Sequence, residues 1–275
     1  MPHRYTCPAD PLLAVGEPCD AQALRDVLWP PSVRSDTVLS RRSTWRTDDH
    51  RSTQLLDPTR PRCRALFDTG VDCFAHQDPI AHLGKRIASA FTLCAAPNEN
   101  PIDQLRSVGL TADDVTHVIN SHFHFDHCGC NALFPRATFI VQRAEMDMAR
   151  AVKSPYNPAY WDLPFDYRIV DGEHDVFGDG SLLLIPTPGH TPGHQSLRVH
   201  AAPGVDFLLT ADACYSRAHL DREIVPMAGA GWNPEQMIET FGRLRALQDR
   251  DGCHLIFGHD PEQWATMRHA PEPLH

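Results

Sequence analysis

His122-Phe-His124-Phe-Asp126-His127 places three imidazoles and one carboxylate within six residues, in a stretch where packing alone would favour apolar side chains. The residues just before it, Thr116 to Ser121 (Thr-His-Val-Ile-Asn-Ser), read as a short buried strand, so the polar cluster begins where the apolar run stops. The cluster therefore sits on a loop at the carboxyl end of a strand. Neutral imidazole and ionised carboxylate are ligands that divalent zinc, manganese, iron and cobalt accept, and the stretch predicts a metal site.

The same arrangement recurs downstream. Thr187-Pro-Gly-His190-Thr-Pro-Gly-His194 follows the apolar run Leu182 to Ile185 and puts His190 in a turn built on two Pro-Gly pairs. Phe207-Leu-Leu-Thr-Ala-Asp212 is an apolar strand ending in a carboxylate, and Leu255-Ile-Phe-Gly-His259-Asp260 is one ending in an imidazole. His122, His124, His127, His190 and His259, with Asp126 and Asp212, are enough for two ions bridged by one carboxylate. Two cations about 3.5–4 Å apart can clamp a water, deprotonate it near neutral pH and polarise a carbonyl or phosphoryl oxygen. Five imidazoles and two carboxylates suit zinc, the expected metal. His194, on the far side of its turn, is expected to hydrogen-bond rather than ligate, Asp68 to support the ligand loop, and Asp260 to cap or support. Cys128 and Cys130 follow the ligand loop, but the ligand set is complete without them and they are expected to pack.

Composition bounds the rest. A chain of 275 residues, 42% hydrophobic, can bury a large core as one domain, and no apolar run approaches the ~20 residues that a membrane span requires. A net charge of −10 disfavours nucleic acid as a partner, since nothing offsets repulsion from its phosphates. The first ten residues carry no apolar stretch of the secretory kind, which predicts a cytoplasmic protein. Nine scattered cysteines without a C-x-x-C pair agree with free thiols in a reducing compartment.

Strand-like runs at Thr138–Gln142, Leu182–Ile185, Gln195–Val199, Phe207–Thr210 and His254–Phe257 alternate with helical stretches, which predicts helices covering sheets. The clearest helix spans Asn233 to Gln248, with Asn233 as N-cap, Pro234 at its first position and Met237, Phe241, Leu244 and Leu247 on one face. Thr111-Ala-Asp-Asp114 reads as a capping box. Pro30 to Arg64 differs: eight arginines, many hydroxyl residues and no apolar run longer than two predict exposed coil. Residues 1–63 thus form an atypical segment before a metallo-hydrolase domain at 64–275, the whole chain being one domain. A basic arm, a divergent insert and an upstream frame error all fit that segment.

The order H-x-H-x-D-H, then His, Asp and His, resembles the metallo-β-lactamase superfamily and, within it, the N-acyl homoserine lactone lactonases, the quorum-quenching enzymes. The likeness runs from about Arg64 to Pro271. It includes Leu66-Phe-Asp68-Thr-Gly70, Asn120-Ser-His-Phe-His-Phe-Asp-His127, Ile140-Val-Gln-Arg143, Thr187-Pro-Gly-His-Thr-Pro-Gly-His-Gln-Ser196, Thr210-Ala-Asp-Ala-Cys-Tyr215 and Phe257-Gly-His-Asp260. It implies an α/β fold, the αβ/βα sandwich, with the metals at one edge. It further implies one metal on His122, His124 and His190, a second on Asp126, His127 and His259, and Asp212 bridging them. Tyr215 matches the family's active-site tyrosine, whose hydroxyl lies beside the substrate carbonyl.

The activity so implied is opening of an N-acyl homoserine lactone by a metal-bridging hydroxide, with Tyr215 stabilising the oxyanion and Asp126 passing a proton to the leaving alkoxide. Another lactone, such as a pyridoxolactone-type ring, and a non-catalytic metal-binding role stay open as alternatives. A zinc β-lactamase is disfavoured, because Asp212 stands where those enzymes usually carry cysteine. The partner is a small-molecule lactone; monomer and homodimer are both left open. Tyr156, Tyr160, Trp161, Phe165 and Tyr167 cluster between Val152 and Tyr167 among Pro155, Pro158 and Pro164. They read either as a roof over a core or as a lid against an acyl chain, with Tyr160, Trp161 and Phe125 lining the pocket. A helix over Pro79–Phe91 (Ile80, Leu83, Ile87, Phe91) is a third candidate wall.

Overall fold

The computed structural model describes residues 53–56, 64–91, 93, 100–226, 229 and 231–268. Two five-stranded sheets form its centre. The first has the order β1 (Thr53–Leu56), β2 (Arg64–Phe67), β3 (His117–Ile119), β4 (Thr138–Gln142) and β5 (Asp166–Val170). Its β1 is antiparallel to β2, and the other neighbours are parallel. The second runs β10 (His254–Phe257), β9 (Val205–Ala211), β8 (Gln195–Ala202), β7 (Leu182–Pro186) and β6 (His174–Asp175), antiparallel except for β10 on β9.

Strand alternation sorts the apolar residues into layers. Ala65 and Phe67 of β2, Ile119 of β3 and Ile140 of β4 meet Leu182 and Leu184 of β7, Leu197 of β8 and Leu209 of β9 between the sheets. The intervening Leu66, Val118 and Phe139 face the other way and pack on Leu105 of α2 (Pro101–Ser107). On the far side, Ile185, Leu208, Leu255 and Phe257 pack on Met237, Phe241, Leu244 and Leu247 of the long helix Pro234–Asp251. The result is helix, sheet, sheet, helix, the sandwich that the resemblance implies. The long helix starts as expected, with the Asn233 side chain accepting from the Gln236 N–H, and stops at Gly252, whose φ of 70° suits a residue without a Cβ.

Two expectations need correction. The coil expected through residue 64 contains β1, which continues the first sheet beyond β2; the rest of residues 1–63 lies outside the described residues. A strand held by its backbone ladder needs no long apolar run, so composition alone does not reveal it. The Pro79–Phe91 stretch does form α1 (Pro79–Ala90), but Gly84, at φ 78°, interrupts it. Of its four apolar residues only Leu83 is buried, while Ile80 in the same half is 62% exposed and Ile87 and Phe91 beyond the break are half-buried, so the stretch does not form one apolar wall.

Candidate metal centre

The polar residues singled out above converge at one edge of the sandwich. Asp68 follows β2, His122 to His127 follow β3, His190 follows β7, Asp212 follows β9 and His259 follows β10. Backbone irregularity delivers two of them. The β9–β10 register slips between Ile256 and Phe257, and Ala211, directly before Asp212, sits at φ 44°. Gly258 permits this approach, since a Cβ there would lie 2.5 Å from the Ala211 carbonyl oxygen. Asp68 is also left-handed, at φ 59°, and its carboxylate accepts from the Ser121 N–H (2.7 Å), the Ser121 hydroxyl (2.7 Å) and His127 Nδ1 (2.8 Å). It thereby ties the ligand loop to β2 and leaves His127 Nε2 facing inward.

The side chains form two groups whose potential ligand atoms lie within 4.8 Å of one another: His122, His124, His190 and Asp212, and Asp126, His127 and His259. In the first, His122 Nε2 and His190 Nε2 each lie 2.9 Å from His124 Nδ1. Asp212 stands between the groups. Its Oδ2 is 3.1 Å from His190 Nε2 and 3.9 Å from His122 Nε2, whereas its Oδ1 is 3.1 Å from His127 Nε2 and 3.0 Å from His259 Nε2. Each oxygen thus serves a different group. Phe125, which follows His124, opens the short helix Phe125–Cys128 that carries Asp126 and His127.

Protonation follows from burial and charge. Burial pushes the His122 and His190 imidazoles well below their ordinary range, so both are neutral with lone pairs available. For His127, burial is outweighed by the carboxylates of Asp212, Asp68 and Asp126, which hold its pKa well above the usual range. Burial likewise works against the Asp212 anion, but His127, His259 and His190 keep it ionised. Three imidazole nitrogens and a carboxylate oxygen crowd together with too few protons to link them. That donor set fits a divalent cation.

Supporting residues surround the groups. His194 behaves as expected and lies outside both groups: its Nε2 accepts from the Asp212 N–H (3.1 Å), and its Nδ1 lies 2.9 Å from the Thr187 hydroxyl, itself 2.8 Å from that of Ser196. Burial lowers the His194 pKa to about 3, so it stays neutral and can accept. Asp260 caps the helix Pro261–Thr266 and also accepts from the Arg217 N–H at 2.8 Å. Cys128 and Cys130 are buried, their thiols donating to the His124 and Val71 carbonyls. Tyr215 lies with its ring 4.7 Å from that of His259 and 5.9 Å from that of His190. Burial, then the charge of Asp212, which accepts from its hydroxyl, holds this phenol protonated well above its ordinary pKa.

Among the aromatic residues, Tyr160 and Trp161 are only 5% and 8% exposed and pack with Phe123, Val141, Met146 and Tyr156. Tyr160 donates to the His82 carbonyl (2.6 Å), and Trp161 stacks beneath Phe123. Of the three expected pocket residues, only Phe125 remains partly exposed, its ring 5.5 Å from that of Phe91. Sequence reasoning missed Glu145, a wholly buried carboxylate that accepts from the Phe123 N–H and the Tyr156 and Thr191 hydroxyls. Its only sequence signal is an acid beside Met146 and Ala149 on a buried helix face.

The sequence pattern of the metallo-beta-lactamase superfamily matches residues 56–263. N-acyl homoserine lactonase AttM of Rhizobium radiobacter is 33% identical over 223 residues, covering 78% of this chain and 84% of that protein. N-acyl homoserine lactonase AiiA of Bacillus thuringiensis subsp. kurstaki is 37% identical over 208 residues, covering 75% and 80%. A solved N-acyl homoserine lactone hydrolase, with the product N-hexanoyl-L-homoserine bound at its catalytic metal centre, superposes with a TM-score of 0.67 at 33% identity, over 76% of this chain and 82% of that one. The chain belongs to the metallo-beta-lactamase superfamily and, within it, to the N-acyl homoserine lactonase family.

Proposed function

We propose that this protein hydrolyses the lactone ring of N-acyl homoserine lactones using two divalent cations, zinc in the native protein. His122, His124 and His190 hold one, Asp126, His127 and His259 the other, and Asp212 lies between. The observation that carries this reading is the division of the Asp212 oxygens between the two groups, 3.1 Å from His190 and 3.0 Å from His259. The activity of the AttM and AiiA relatives supplies the substrate class. Cations bound in this way supply a nucleophile from water near neutral pH and polarise the substrate carbonyl.

The chain's own residues do the rest. Tyr215, kept protonated, donates to the carbonyl oxygen as negative charge grows on it. Asp126, whose side chain is 15% exposed beside His127, takes the proton left on the added oxygen after attack and passes it to the alkoxide released when the ring opens. Phe125 and Phe91 form an apolar wall for the acyl chain, with Tyr160 and Trp161 packed behind as its support. The free thiols of Cys128, Cys130, Cys214 and Cys253 favour a reducing, cytoplasmic setting. Among the described residues no helix is long and apolar enough to cross a membrane.

A pH-stat assay tests the assignment, because each ring opened releases an acid. Metal-reconstituted protein should open homoserine lactones far faster than a pyridoxolactone-type lactone, a thioester or a β-lactam. Preference for another ring would reassign the substrate, and no turnover at all would make the chain a metal-binding member without catalysis. Phe125→Ala should lower kcat/KM about tenfold more for a decanoyl than for a butanoyl substrate, since each lost buried methylene contact is worth up to about 0.8 kcal/mol. Trp161→Ala should instead destabilise the fold by about 3–5 kcal/mol and leave the chain-length preference unchanged. Equal losses with Phe125→Ala on both substrates would move Phe125 from the pocket to the core.

A further inference from the structure

One buried carboxylate reaches all the histidines of the first group through their neighbours. Glu145 occupies the first turn of the helix Arg143–Arg150, where a negative charge meets the helix's positive end, and it is 0% exposed. Its Oε1 accepts from the Phe123 N–H (2.9 Å) and the Tyr156 hydroxyl (2.6 Å); its Oε2 accepts from the Thr191 hydroxyl (2.7 Å) and the Gly193 N–H (3.2 Å). Phe123 is the residue between His122 and His124, Thr191 directly follows His190, and the Tyr156 ring lies edge-on to His124 at 5.7 Å. The Gly193 turn is pressed so closely on this helix that a Cβ would lie 2.1 Å from the Glu145 nitrogen. The four bonds of Glu145 stop short of the helix Phe125–Cys128, which carries Asp126 and His127, and of the strand end that carries His259; Asp68 supports His127, and Asp212 lies between the groups.

We propose that Glu145 is the positioning residue for one metal position only, that of His122, His124 and His190. The inference rests on the two-cation reading above. By fastening the loop after β3 to the turn after β7, Glu145 sets the separation of His122 and His124 from His190, and its charge adds long-range attraction for the cation they face. Two of its four donors are backbone N–H groups, one on each oxygen, and these cannot reverse to become acceptors. Glutamine, with one amide nitrogen, must therefore leave one of them facing a donor. The hydroxyls of Tyr156 and Thr191 can rotate, so losing either should matter less.

The test is titration of the metal-stripped full chain with Co(II), followed by its visible absorption and by metal content after gel filtration. For wild type, two equivalents should bind. Glu145→Gln should weaken one of the two binding steps by roughly 10–100-fold and leave the other within about twofold. Tyr156→Phe and Thr191→Val, which keep the charge and lose one donor each, should shift the same step by less. Thermal unfolding of the metal-free variants separates positioning from folding, and Tyr156→Phe and Thr191→Val stand in should Glu145→Gln fail to fold. Unchanged binding of both equivalents in Glu145→Gln, or an equal loss of both, would overturn the proposal. Failure of wild type to bind two equivalents would instead sink the two-cation reading itself.

Discussion

Asp212→Asn is expected to reduce turnover by about 10³-fold or more and to lower the bound metal below two equivalents. The carboxylate is 2% exposed, and its two oxygens face different groups, so amide replacement removes a full negative charge from between two cations. Two unit charges 4 Å apart interact by about 4 kcal/mol at an effective dielectric of 20, equivalent to roughly 10³-fold in binding for each cation, before counting the second charge each divalent ion carries. The neighbouring acid makes the control. Asp260→Asn keeps the cap on the helix Pro261–Thr266 and gives up only the bond from the Arg217 N–H, at a residue outside both ligand groups, so the variant should lose some stability but stay within a few-fold of wild type in metal content and turnover. Metal content and kcat of the two variants, measured side by side, decide the matter. An Asp212→Asn protein that holds two ions and turns over normally removes the bridge.

Tyr215→Phe should keep the fold and both metals while lowering kcat by about 10–100-fold and changing KM much less. The phenol stays protonated because burial and the Asp212 charge both oppose its ionisation, and its single proton, given to Asp212 in this structure, turns to the carbonyl oxygen when substrate is bound. A hydrogen bond to the carbonyl oxygen strengthens as that oxygen becomes anionic, so its loss falls on the transition state rather than on the bound substrate. One preorganised donor of this type is worth roughly 10²–10³ in rate, and sharing the charge with a cation brings the expected figure to the lower end or below. Equal kcat for both proteins on their best lactone would show that Tyr215 only packs between His190, His219 and His259.

The part of the site that reads out from the sequence is the part made of local rules. Each ligand-type residue follows an apolar strand, and parallel or alternately antiparallel strands carry those ends to one edge, so His122, His190, Asp212 and His259 could be grouped without coordinates. The long helix was legible for the same reason: its cap, its proline and its apolar face all lie within a few turns. What escaped depends on residues far apart in the chain. Glu145 meets Thr191 across 46 positions, and Gln195 reaches the Asn120 carbonyl across 75. Nothing in a local pattern announces either. The aromatic cluster shows the opposite failure, since Tyr160, Trp161 and Phe125 share an apolar character that says nothing of which ring faces solvent. Gly84 in α1 was visible, but its positive-φ backbone, which breaks the helix between Leu83 and Ile87, was not.

The most direct measurement is the rate of ring opening of N-hexanoyl homoserine lactone by the metal-stripped protein as zinc is added in known molar ratio. Activity should be absent without metal, rise with each addition and reach its plateau at two equivalents per chain. A plateau at one equivalent, or no ring opening at any ratio, contradicts a lactonase built on two cations joined by Asp212.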